Sequence, residues 1–226
     1  MVENQPDKKF KNALLSGPYP SPIQYIPRRG YAAYGEKQVH FRDTGKGSPL
    51  LLCHQAPCTS RQFTNVYELL SRAGFRAIGV DMPGFGESDP LQSITCIEVL
   101  APAIVAVLDH LEIEKSDILG HHTGAILASE ISYRFPDRIR KVILNGPFVV
   151  EDETELKKWL DIAREEIDFE YSKDGSHLNK RFSWPSSAHT HPSILTRRTV
   201  EQFQGYAPFW TGYGFAFLCI ESMTVS

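Results

Sequence analysis

Cysteine is scarce in this chain, no sign of charge dominates, and no apolar run is long; each lack removes a class of protein. The four cysteines among 226 residues, Cys53, Cys58, Cys96 and Cys219, have no metal-ligand spacing. They read as reduced thiols rather than a disulfide framework or a zinc site. Cys53 in particular reads as a small hydrophobe inside a strand. The formal net charge is only -3, and Arg28-Arg29 and Arg197-Arg198 are isolated basic pairs. Such a surface has no field to concentrate nucleic acid or anionic lipid, so nucleic acid is excluded as a partner. No stretch approaches the roughly 18 consecutive apolar residues of a membrane span. Met1 to Lys11 is polar and charged where a signal peptide has an apolar core, so the expected location is cytoplasmic, with no membrane partner.

What remains is a globular composition, 42% hydrophobic and 23% charged, with enough apolar residues for a large core. Residues 1–30 are rich in Pro, Lys and Asn and read as an extended lead-in, with regular structure beginning near Tyr31. Tyr31 to Tyr34 and Gln38 to Arg42, separated by Gly35-Glu36-Lys37, predict a hairpin. Pro49 to Cys53 is a continuous apolar run of the kind found in buried parallel strands. Arg61 to Ala73 predicts a helix with Phe63, Val66, Leu69 and Leu70 on one face. Phe75 to Val80 is the next strand, Ile94 to Leu111 a helix despite Pro102, Asp117 to Leu119 a strand, Thr123 to Phe135 a helix and Lys141 to Leu144 a strand.

Strands alternating with helices predict a mostly parallel sheet covered on both faces, with ligands bound beyond the carboxyl ends of the strands. Four unusual loops occupy those ends: His54-Gln55-Ala56-Pro57, Asp81 to Ser88, Gly120-His121-His122-Thr123-Gly124, and Asn145-Gly146-Pro147. The Gly120–Gly124 segment follows an apolar strand and opens a helix in which Ile126, Leu127, Ile131 and Phe135 recur at helical spacing. That is the layout of a nucleophile elbow, but its centre is histidine rather than serine.

Taken in order, these motifs resemble the α/β-hydrolase superfamily over roughly Tyr31 to Phe148. His54 to Pro57 looks like its H-G-x-P oxyanion loop, Asp81 to Ser88 like its D-x-P-G-x-G-x-S turn, and Gly120 to Gly124 like its elbow. The resemblance implies an α/β-hydrolase fold with a helical cap. It also implies backbone N–H groups that stabilise an oxyanion, here those of Ala56 and Thr123. Gln55 stands where the loop glycine is usual, and its side chain either enters the substrate pocket or is packed aside. His54 and Asp81 read as structural, tying strand ends and turn backbone.

His122 is the candidate catalytic residue, because an imidazole with an ordinary pKa of about 6.5 can act near neutrality as base or nucleophile. It would either attack a carbonyl or, as we favour, deprotonate a water. His121 and His122 point apart on so tight a turn, so no metal is expected, and no cofactor. His110 ends a helix, where a cation suits the dipole.

The remaining organisation is read as a core over residues 31–150, a helical cap over 151–213 and a tail over 214–226. Leu156, Trp159, Leu160 and Ala163 give Glu151 to Ile167 a cap-helix pattern, and Glu151, Asp152 and Glu153 suit the dipole at its start. Residues 171–192 read as a loop with His177, His189 and His191 in or near it. Ser193 to Tyr206 reads as a second cap helix, and the aromatic patch that includes Trp210 as pocket lining.

The superfamily's late strands and its Gly-His loop have no counterpart before Ser226. The chain therefore reads as incomplete at its C-terminus, lacking the usual histidine and leaving the strand at Lys141 as a bare sheet edge. The expected function is hydrolysis of a small, fairly apolar ester, lactone or related electrophile. A catalytically inactive binding protein and a truncated inactive isoform are the alternatives. A small-molecule substrate is the expected partner, and the oligomeric state is left open.

Overall fold

The computed structural model describes residues 26–91, 97–147 and 172–182, with residues 152, 154, 155, 157, 161, 196 and 199–201. Strands β1 (Arg28–Tyr34) and β2 (Lys37–Asp43) form an antiparallel hairpin. Their ladder reaches Arg28↔Asp43, so β1 begins inside the segment read as lead-in. Backbone pairing is indifferent to the polar side chains that made Arg28 and Arg29 look like lead-in. Strand β3 (Ser48–Cys53) pairs in parallel with β4 (Phe75–Val80) on one side and β5 (Ser116–His121) on the other, and β6 (Ile139–Asn145) extends the sheet beyond β5. The sheet order is β1-β2-β4-β3-β5-β6.

The run Leu50-Leu51-Leu52-Cys53 is apolar throughout because both faces of β3 are covered. Leu51 and Cys53 join a core with Ile78, Ile104 and Leu127, while Leu50 and Leu52 pack on the opposite side with Phe63, Tyr67 and Ala77. Alternate side chains of a strand must point to opposite faces, so only a doubly covered sheet satisfies such a run. Each leucine so buried contributes roughly 1.5–3 kcal/mol relative to exposure.

The segment expected as one helix from Arg61 is broken into a 3-10 turn, Ser60–Phe63, and helix α1, Tyr67–Arg72. A 3-10 turn advances the chain by three residues per turn rather than 3.6, so the helical phase slips at the junction. Tyr67 therefore faces the sheet, with its hydroxyl donating to the Ser60 carbonyl at 2.9 Å, whereas Val66 and Leu69 are exposed. Helix α2 spans Ala101–His110, with Pro102 in its first turn. There the missing N–H costs nothing, which is why proline does not break it. Ile94, included in the expected helix, lies outside the described residues. Helix α3, Thr123–Arg134, packs against β5 and β6. Arg140 of β6 crosses the sheet to Asp117 and to the Ser48 hydroxyl and Pro49 carbonyl of β3, each at 3.0 Å.

Beyond β6, residues Thr154, Glu155, Lys157 and Asp161 are helical, and so are Thr196 and Thr199 to Glu201. Within the segment read as a loop, helix α4 spans Ser176–Phe182. A turn around Ser172 starts it, with the Ser172 hydroxyl accepting the His177 N–H at 3.1 Å. His189, His191, Trp210 and residues 214–226 lie outside the described residues.

Candidate active site

The parallel strands β3, β4 and β5 deliver their loops to one rim, and close backbone contact makes the rim rigid. A Cβ at Gly124 would lie 2.2 Å from the Cys53 carbonyl oxygen, and one at Gly120 would lie 2.0 Å from the Gly124 oxygen. Only glycine at these two positions lets the start of α3 rest directly on the ends of β3 and β5. Between them His122 is held at φ 53°, ψ -118°, a conformation that costs a non-glycine residue about 1–3 kcal/mol. Its N–H donates to the Asn145 carbonyl at 2.9 Å, and its carbonyl accepts the Ala125 N–H at 2.8 Å. The strained turn thus stands on hydrogen bonds to both sides.

His122 is about half-buried. Burial first, and then the charge of neighbouring His121, hold its imidazole below the ordinary 6.5. It is therefore neutral at pH 7 and able to accept a proton. The His121 Nδ1 lies 3.2 Å from the Asn145 carbonyl that also receives the His122 N–H. Among the described residues no group of three or more His, Cys, Asp or Glu is placed to hold a metal ion.

The loop His54–Pro57 is tied down from several directions. His54 is fully buried; its Nε2 accepts the Met82 N–H and its Nδ1 donates to the Gln55 carbonyl, both at 2.9 Å. That pair of bonds fits the neutral ring, and burial lowers its pKa accordingly. The Gln55 N–H donates to Gln62 Oε1 at 3.1 Å, and the Gln55 side-chain amide turns onto Cys58 Sγ at 3.5 Å. The Gln55 side chain thus bonds within its own loop, where a half-buried amide is satisfied by a near acceptor. The Ala56 N–H donates to Thr123 Oγ1 at 2.6 Å, with Ala56 and Thr123 both buried. Ala56 and Thr123 are thus together at the elbow, but the Ala56 amide already has a partner. The Thr123 N–H belongs to the first turn of α3, where a helix leaves its donors open.

Asp81 organises the adjoining turn. It accepts the Ser60 N–H at 2.6 Å, the Glu87 N–H at 3.1 Å and His40 Nδ1 at 2.8 Å. Burial would raise its carboxyl, but the His40 hydrogen bond foremost among the others outweighs that and brings it down to about 2. His40 went unnoticed in the sequence. Its only signal is a polar residue between Val39 and Phe41 in a strand, which becomes meaningful once β2 lies beside β4 and Asp81.

The elbow, the His54–Pro57 loop and the Asp81 turn converge on one rim, and known proteins share this arrangement of motifs. The family model for the alpha/beta hydrolase fold matches residues 48–175. The chain belongs to this family. Among curated relatives of this α/β-hydrolase, it is 34% identical over 115 residues to bifunctional epoxide hydrolase 2 of Sus scrofa, covering 50% of this chain and 21% of that protein. It is 29% identical over 160 residues to an epoxide hydrolase of Caballeronia sordidicola, covering 70% of this chain and 48% of that one. The α/β-hydrolase chain described here thus spans less than half the length of either relative. Among solved structures, Cfl2 of Burkholderia cenocepacia superposes with a TM-score of 0.71 at 16% identity, covering 90% of this chain and 75% of that one; this likeness concerns the fold. No helix among the described residues of this α/β-hydrolase is long and apolar enough to cross a membrane.

Proposed function

We propose that this chain hydrolyses a small, fairly apolar electrophile, an ester, lactone or epoxide, with His122 as the base that activates water. The observation that carries the reading is the half-buried His122 imidazole, held neutral on the strained elbow. The His122 imidazole takes a proton from a water, and the water oxygen forms a bond to the carbonyl carbon. The carbonyl oxygen takes up negative charge beside the Thr123 N–H and the Ala56–Thr123 contact. Collapse of the intermediate expels the alcohol as its oxygen regains the proton from His122. With an epoxide, the same water attacks ring carbon, the C–O bond breaks directly and the released oxygen takes the proton back from His122. Acting as a base needs no second histidine to release an acyl group, which favours it over attack by His122 itself. The epoxide option enters through the names of the two relatives.

The test is His122→Ala assayed on p-nitrophenyl acetate and on styrene oxide. A loss of about 10²–10⁴ in turnover is expected; unchanged turnover on both would remove His122 from the chemistry. A second reading, a protein that binds such a ligand without turning it over, is favoured by the Ala56 amide being engaged already. Ligand-dependent thermal stabilisation with no product would support it.

A further inference from the structure

The hydrogen bond between Ala56 and Thr123 leaves a donor unspent at the elbow. Thr123 Oγ1 accepts the Ala56 N–H at 2.6 Å, and among the described residues nothing accepts the hydroxyl's own hydrogen. A hydroxyl has one donor and two acceptor sites, and accepting a short bond from an amide makes its hydrogen a better donor. The other amide nearby in the loop, that of Gln55, is taken by Gln62. With the Gln55 and Ala56 backbone amides both engaged, the Thr123 hydroxyl is the donor that the Ala56 contact leaves for a substrate oxygen. Resting on the hydrolase reading above, we infer that the Thr123 side chain is itself a catalytic residue: its Oγ1–H donates to the substrate oxygen that becomes negative, with the Ala56 N–H polarising it from behind. No bond to Thr123 forms or breaks; the hydroxyl and the Thr123 N–H together make the anion contact.

The test uses butyrate as a stable carboxylate probe together with p-nitrophenyl acetate turnover. Titrating the unaltered protein with butyrate should move the Ala56 and Thr123 amide resonances saturably. Thr123→Val should weaken butyrate at least about tenfold, the range of one hydrogen bond to a charged group. It should also lower kcat by about 10²–10³, the cost of one oxyanion donor. Thr123→Ser, which keeps the hydroxyl, should stay close to the unaltered protein in both. The inference is overturned if Thr123→Val binds butyrate equally well, if its turnover rises because the hydroxyl was only a plug, or if butyrate leaves both resonances unmoved. Should Thr123→Val not fold, the titration of the unaltered protein and the Thr123→Ser result decide. Failure of the hydrolase reading appears separately, as the unaltered protein failing to turn over p-nitrophenyl acetate while Thr123→Val still loses butyrate.

Discussion

At the scale of single residues, small side chains and neutral imidazoles set what this rim can do. Gly124 admits no Cβ, since one would meet the Cys53 carbonyl at 2.2 Å. Gly124→Ala should cost about 3 kcal/mol or more, in the range of large single-site effects, read as a drop in the urea midpoint. A midpoint within experimental scatter of the unaltered protein would show that α3 can lift away from β3. Because burial holds the His122 pKa below 6.5, the acidic half-point of turnover should lie below pH 6.5. A pH profile with its acidic limb above 6.5 would contradict a buried, neutral base. The special character of His122 was legible from the Gly-x-His-x-Gly spacing. The Ala56–Thr123 bond was not, because it joins residues 67 positions apart and depends on side-chain placement.

At the scale of elements, periodicity located every strand and helix of the described sheet region but misjudged a phase. Val66 and Leu69 fit a helical stripe only if one helix runs unbroken from Arg61, and the 3-10 turn at Ser60–Phe63 moves that stripe out to solvent. Leu69→Lys should therefore leave stability within about 0.5 kcal/mol, as for surface positions generally. Tyr67→Phe, which orphans no buried donor but removes the bond to the Ser60 carbonyl, should cost about 1 kcal/mol. Both are read from chemical denaturation, and a large loss at Leu69 would restore the unbroken helix.

At the scale of the whole molecule, two features carry predictions: the buried titratable groups and the exposed apolar residues of β6. Asp81 falls from an ordinary 3.8 to about 2 on folding, so its contribution is complete above pH 4 and is lost as pH drops toward 2. That shift corresponds to about 2 kcal/mol. His54 adds an earlier window, because the unfolded chain takes up a proton below about 6.5 that the buried ring refuses. Stability should thus decline in two stages on acidification, and a melting temperature independent of pH between 7 and 3 would refute this. On the flank, Val142, Ile143 and Leu144 of β6 are 43%, 48% and 45% exposed, and among the described residues no strand pairs with its outer edge. Exposed apolar edges recruit other strands. Ile143→Lys should reduce concentration-dependent association in sedimentation runs, and no change there would mean that the edge is protected in solution.

By itself the sequence determined the alternation of strands and helices, the parallel sheet and the four loops that meet on its rim, since these follow from local pattern and from glycines required wherever the chain turns sharply. It also marked His122 as the unusual residue of the elbow. Only the tertiary structure decided which polar atoms satisfy one another: His40 with Asp81, His54 with the Met82 N–H, Gln55 with its own loop, and Thr123 with Ala56. Those pairings join residues far apart along the chain, and burial makes each of them obligatory, so they exist only once the sheet has brought the strand ends together.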